Sequence, residues 1–177
     1  MEKFDLYTKD RVLLNKTLKR GLKLPKGTYR LVVHLAVVYK NKMLIQKRSL
    51  DKKNWPGLWD ITCGGSVISG ETSSMAIQRE FNEELGINYD FSNTLPFCTT
   101  YFKEGFDDLY VVEKKINLKD IKIQLEEVCE VKWATKTEIK KMIKSGEFVQ
   151  YHLTYIDYIF EKRSKLDEPL YRNKIVM

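Results

Sequence analysis

Cysteine is scarce in this chain of 177 residues: three, at Cys63, Cys98 and Cys129, odd in number, far apart and without a Cys-x-x-Cys pair. That leaves no basis for a disulfide framework, and a reducing compartment is the simplest setting. No apolar run approaches membrane-spanning length, and the opening MEKFDLYTKD lacks the apolar segment of a secretion signal, so a soluble, cytoplasmic protein with no membrane partner is expected. The formal charge is +7, yet Lys and Arg are spread along the chain, with no arginine-rich block and no aromatic RNA-binding signature. The excess therefore points to a small anionic substrate rather than polymeric nucleic acid. Internal repeats and low-complexity segments are absent too. With no residue class extreme, the length suits one domain with a full core.

What the chain does have is an unusual stretch from Gly65 to Ile87, GSVISGETSSMAIQREFNEELGI. Thr72 can cap a helix and Gly86 suits the left-handed conformation just past its end, so a helix of about 13 residues is expected between them. Ile77, Phe81 and Leu85 recur every fourth residue and form its packing face. Glu80, Glu83 and Glu84 fall on a neighbouring stripe. Three carboxylates held this close repel one another unless a cation sits among them. Oxygen-only ligands favour a hard ion, Mg2+ with Mn2+ as a substitute, over zinc. The bland alternative is a solvated acidic helix face. Against it, the two glycines, Glu71, Arg79 and the three glutamates are seven specified residues, which coincide by chance on the order of once in 10⁸ starting points.

The stretch resembles the Nudix box, G-x5-E-x7-R-E-U-x-E-E-x-G-U with U hydrophobic, and matches every fixed position, Phe81 and Ile87 taking the U places. The resemblance implies an α/β fold, an α/β/α sandwich with a mixed sheet, and Mg2+-dependent hydrolysis of a diphosphate linking a nucleoside to another moiety. By the same resemblance Glu83 and Glu84 are metal ligands, and Glu80 is a ligand or the base that activates water. Arg79 and Glu71 form a supporting charge pair, and the Gly64 carbonyl adds a ligand. A glutamate outside the box, in a loop before a late strand, often completes such a site. Glu127, within IQLEEVCEVKW, is the candidate, set against a solvated loop carboxylate.

The rest of the chain reads consistently with that fold. Residues 3–24 form an N-terminal hairpin closed by Pro25-Lys26-Gly27. Tyr29 to Tyr39 is a nearly continuous apolar run, as in a strand covered on both faces, with partner Met43 to Arg48 running back. His34 inside it reads as a packed, hydrogen-bonded residue before it reads as a ligand. Lys47 and Arg48 either bind a substrate phosphate or are ordinary surface charge. Trp55 and Trp59 read as buried aromatics ahead of a stacking platform. A strand or loop covers 88–96, and strands cover Leu95 to Phe102 and Leu109 to Lys115. Between those two strands lies an acidic turn, 103–108, that either approaches the metal or is solvated. Another strand ends at Trp133. Thr135 to Glu138 has capping-box spacing for a helix ended by Gly146, and a last helix spans Gln150 to Lys162 with Tyr151, Tyr155, Tyr158 and Ile159 inward. One domain, 1–163, with its hairpin at about 1–27, is expected, followed by a tail, 164–177, that is poorly ordered or packs on a partner. A homodimer is left open.

A second likeness bears on the chemistry. Leu31 to Val38 with His34, followed by KRSLDKKNWPGLWDITCGG, resembles type 1 isopentenyl-diphosphate isomerase, a Nudix relative that carries a histidine in the equivalent strand and a catalytic cysteine where Cys63 stands. Those isomerases need further histidines, one before the first strand and one two residues after the cysteine. Here stand Pro25-Lys26-Gly27 and Gly65, and the chain has only His34 and His152. Hydrolysis is therefore the primary expectation, the isomerase is the rival, and a nucleotide-binding module without turnover is a third reading.

Overall fold

The structure, a computed structural model, describes residues 2–162; the expected tail lies outside them. The central strand is β3, Arg30–Tyr39. Its apolar residues alternate between two cores. Leu31, Val33, Leu35 and Val37 face Ile77, Phe81 and Leu85 of helix α1, Ser73–Leu85, whereas Ala36 and Val38 face the opposite layer. In that layer pack Ile139, Met142 and Ile143 of helix α2, Lys136–Ser145, and Ile156 and Ile159 of helix α3, Leu153–Lys162. Helix, mixed sheet and helices thus form three layers, as expected of an α/β/α sandwich. Among the described residues no helix is long and apolar enough to cross a membrane.

The sheet divides where the site forms. One edge of β3 pairs in parallel with β8, Gly105–Glu113, which is flanked by β7, Cys98–Phe102. The other edge serves two strands in turn. Val32 to Leu35 pair with β6, Cys63–Ser66, and Val38 and Tyr39 pair with β4, Lys42–Arg48. Beyond β4 lie β5, Trp59–Asp60, and β9, Val128–Thr135. Where β4 and β6 part, the fully buried Thr62 hydroxyl accepts from the Val37 amide at 2.8 Å and donates to the Leu44 carbonyl at 2.6 Å. It satisfies two backbone groups that no ladder can reach.

The hairpin, β1 at Lys3–Tyr7 and β2 at Leu13–Lys19, forms its own small sheet. Reciprocal Tyr7–Tyr29 backbone bonds of 2.8 and 2.9 Å tie it to the body. The Asp5 carboxylate accepts from Ser69 Oγ at 2.7 Å and the Gly70 amide at 2.9 Å, gripping the loop that leads into α1.

Several expectations are corrected. The turn after β7 is short. Phe106, Asp107 and Asp108 lie inside β8, because parallel pairing with β3 continues down to Arg30 opposite Gly105. Only Lys103 and Glu104 remain an exposed turn, and the acidic pair belongs to a strand. Asp108 is fully buried and takes both terminal nitrogens of Arg11, with Thr99 Oγ1 at 2.6 Å. Residues 88–96 take the loop of the two alternatives, whereas β9 runs on to Thr135 and α3 begins only at Leu153. Trp59 is buried, but Trp55 is 55% exposed with φ of 49°, so the packing reading fails for it.

Candidate active site

Helix α1 follows from its local chemistry. Thr72 Oγ1 accepts from the Met75 amide at 3.2 Å, and Gly86 takes φ of 69° as its amide returns to Asn82. Gly86 is doubly constrained, since a Cβ there would also press on Lys122. The close approach lets Lys122 and Gln124 donate to the Leu85 and Glu84 carbonyls at 2.9 and 3.1 Å. Those bonds cap the helix end and bring the 124–127 turn, with Glu127, beside Glu84.

Arg79 organises the helix face. Its Nε and Nη2 hold both oxygens of Glu71 at 2.8 and 3.0 Å, and Nη1 reaches Glu80 at 2.9 Å and Glu83 at 3.0 Å. Nη2 also donates to the Ser66 carbonyl at 3.1 Å. All five donors are thus spent. The Glu71 bonds, ahead of the opposing cost of burial, hold the guanidinium even further into its charged form. Glu71 in turn accepts from the Ile68 amide at 3.1 Å, so one guanidinium fixes both the loop and the helix.

The two glycines of β6 serve opposite faces of the sheet. A Cβ on Gly65 would fall inside the Glu80 carboxylate, and one on Gly64 would strike the His34 ring. Glu80 is mostly buried against this bare backbone. Burial raises its carboxyl above the ordinary range, Arg79 pulls it back, and Glu83 and Glu127 push it up again. Glu84 is 5% exposed and accepts from Gln46 Nε2 at 2.9 Å. Burial first and Glu80 second push it up to about 8, Glu127 adding to the rise while Gln46 and Lys52 oppose it. Gln46 Oε1 is buried with no partner.

The sites expected from sequence are thus partly assembled. Glu80, Glu83, Glu84 and Glu127 share one electrostatic neighbourhood beside β6. Glu127 pairs with the Lys52 ammonium. Among the described residues no three Asp, Glu, His or Cys side chains converge closely enough to grip an ion as they stand; Arg79, Gln46 and Lys52 partner the carboxylates instead. The donor set nonetheless suits a hard divalent cation: every side chain is a carboxylate, and burial without a metal drives protonation of Glu84. Arg48 is engaged elsewhere, on Asp60 at 3.1 Å and the Asn54 carbonyl at 3.2 Å, and the Lys47 ammonium lies 5.9 Å from the centre of the Trp59 ring.

On the other face of β6, His34 Nδ1 lies 2.8 Å from Asp107. Burial, the largest single influence, disfavours the imidazolium, but Asp107 with Asp60 and Glu84 together outweigh it and raise His34 to about 9. The pairing agrees with a hydrogen-bonded histidine, although the ring keeps a quarter of its surface exposed. Cys63 is buried, and burial with Glu84 and Glu80 nearby pushes its thiol up, away from the reactive thiolate. Gln46, Lys52 and Thr62 were not foreseen. Nothing in their local spacing marks them, since each acts on a partner far along the chain.

The NUDIX domain family matches residues 28–154. An uncharacterised Nudix hydrolase of Listeria innocua is 41% identical over 165 residues, covering 93% of this chain and 96% of the relative. An isopentenyl-diphosphate Delta-isomerase of Dinoroseobacter shibae is 31% identical over 132 residues, 67% of this chain and 71% of that enzyme. A crystal structure of a Deinococcus radiodurans protein superposes with a TM-score of 0.71 at 20% identity, covering 90% of this chain and 98% of the other.

Proposed function

The chain belongs to the Nudix family, and from that premise we propose that it is a divalent-cation-dependent hydrolase of the diphosphate linkage in a nucleoside diphosphate joined to another moiety. Mg2+ is the proposed ion, Mn2+ a substitute, and Glu83, Glu84, Glu80, Glu127 and the Gly64 carbonyl its proposed ligands. The observation that carries the reading is the Arg79 hub, which holds Glu71, Glu80 and Glu83 on one helix face beside buried Glu84. A purely structural acidic face has no use for two carboxylates buried against each other's charge.

When bound, the cation neutralises diphosphate oxygens and makes the attacking water more acidic. Glu80 is the proposed base. Its carboxyl, raised by burial, is a better proton acceptor near neutrality than an ordinary glutamate, and Arg79 fixes its direction. Gly65 lets that carboxylate lie flat on the strand. Arg79 holds Glu83 by an i,i+4 contact, and Gln46 holds Glu84. Arg48 and Lys47 remain proposed substrate contacts, Arg48 only by giving up part of its present partnership.

The test is a panel of nucleoside triphosphates, ADP-ribose, dinucleoside polyphosphates, NADH, CoA and prenyl diphosphates with Mg2+. Phosphate or nucleoside monophosphate should be released from at least one. Glu83→Gln should stay folded while losing Mn2+ affinity and at least tenfold in turnover; full activity in that variant defeats the site assignment. Failure of every substrate with tight nucleotide binding retained favours the binding module. The isomerase remains the rival on resemblance alone: in the strand register His34 lies opposite Gly64 and Cys63 opposite Leu35, on opposite faces of the sheet. Double-bond migration in isopentenyl diphosphate, abolished by Cys63→Ala, would establish it.

A further inference from the structure

Two loops meet beside the end of α1. One is 49–58, between β4 and β5; the other is the turn before β9. The Ser49 amide donates to the Glu127 carbonyl at 2.9 Å, and the Lys52 amide donates to the Ser49 carbonyl at 3.3 Å. From this footing the Lys52 ammonium pairs with the Glu127 carboxylate and acts as an attractive charge on Glu84. Arg79 cannot serve these two, because all five of its donors are committed to Glu71, Glu80, Glu83 and Ser66. The far side of the Glu84 contact is also unfinished, since Gln46, 3% exposed, keeps Oε1 buried without a partner while its nitrogen binds Glu84.

We propose, resting on the metal-dependent reading above, that Lys52 is a positioning residue that stands in for the divalent ion. Its ammonium holds Glu127 beside Glu84 in the metal-free protein. It is displaced when the ion takes those oxygens. The physics allows the exchange. A lysine carries one charge on a flexible four-carbon stem, and a partly solvated ammonium–carboxylate pair is held weakly. The Lys52 side chain keeps 20% of its surface and Glu127 keeps 32%, so neither is locked. A divalent ion brings twice the charge to the same oxygens, and both cations cannot occupy one carboxylate face. Lys53, next along the chain and exposed, supplies a control of equal charge.

The test uses the full-length protein, Mn2+ alone as the probe and two readouts. In the first, lysines are acetylated briefly with and without Mn2+ and quantified by mass spectrometry. Lys52 should become about fivefold more reactive with Mn2+, the factor set by loss of one partly solvated ion pair, while Lys53 is unchanged. In the second, Mn2+ titration followed by its spin resonance should give about fivefold tighter binding for Lys52→Met than for Lys53→Met. The first needs no variant, so misfolding cannot obscure it. Equal Lys52 reactivity in both conditions, or equal Mn2+ affinity of the two variants, overturns the assignment of Lys52 while leaving the metal site intact. If Mn2+ does not bind the wild type at all, the metal reading falls and this proposal with it.

Discussion

Glu84→Gln should stabilise the metal-free protein above neutral pH while removing a proposed ligand. The wild-type carboxyl is raised from 4.5 to about 8, by burial first and by Glu80 next. Because the folded value lies above the unfolded one, this contribution to stability is fully present below pH 4.5. It is lost as pH rises to about 8. At about 1.4 kcal/mol per tenfold, the span corresponds to about 5 kcal/mol between the two plateaus. A glutamine carries no charge to desolvate. Its amide can also accept from Gln46 Nε2 and donate to the orphaned Gln46 Oε1, adding about 1 kcal/mol. Neutral Glu84 can make the same donation, so variant and wild type should be nearly equal in acid. The assay is urea unfolding in chelator across pH 4.5 to 9, reading the difference between the two proteins so that other titrations cancel. The expected gain is near zero at the acid end and about 3 to 5 kcal/mol at the alkaline end. A variant less stable than wild type at high pH, or a difference independent of pH, would refute the claim that Glu84 is buried against its own charge.

Gly65→Ala should fold, since the residue lies in a short strand with ordinary φ, but its Cβ must push Glu80 aside. Turnover on whichever diphosphate is cleaved should fall at least tenfold, with a smaller change in melting temperature. Arg11→Met strands the buried Asp108 carboxylate and should cost about 2 to 3 kcal/mol by urea unfolding near neutral pH, a figure reduced for the third of the arginine that meets solvent.

Local chemistry alone determined several elements. Thr72 and Gly86 bound α1 because an N-cap hydroxyl and a left-handed glycine act within one helical turn. The Thr135–Glu138 capping box is present for the same reason. The alternation of Leu31, Val33, Leu35 and Val37 against Ala36 and Val38 wrote the two cores into one strand. Within the box, Arg79 meets Glu83 because they are one turn apart, and Glu71 because the loop is short.

Tertiary structure alone decided the partners. Gln46 reaches Glu84 across 38 residues, Lys52 reaches Glu127 across 75, His34 meets Asp107 across 73, and Arg11 meets Asp108 across 97. No spacing rule links such pairs, because each depends on which strands become neighbours and in what register. Asp107 and Asp108 illustrate this: alone they read as a turn, and only parallel pairing with β3 draws them into the sheet, on opposite faces, one to His34 and one to Arg11. The helix could thus be written from its own residues, whereas the burial that raises Glu84, and the Gln46 amide and Lys52 charge that answer it, exist only once β4, β6 and the 124–127 turn close around its end.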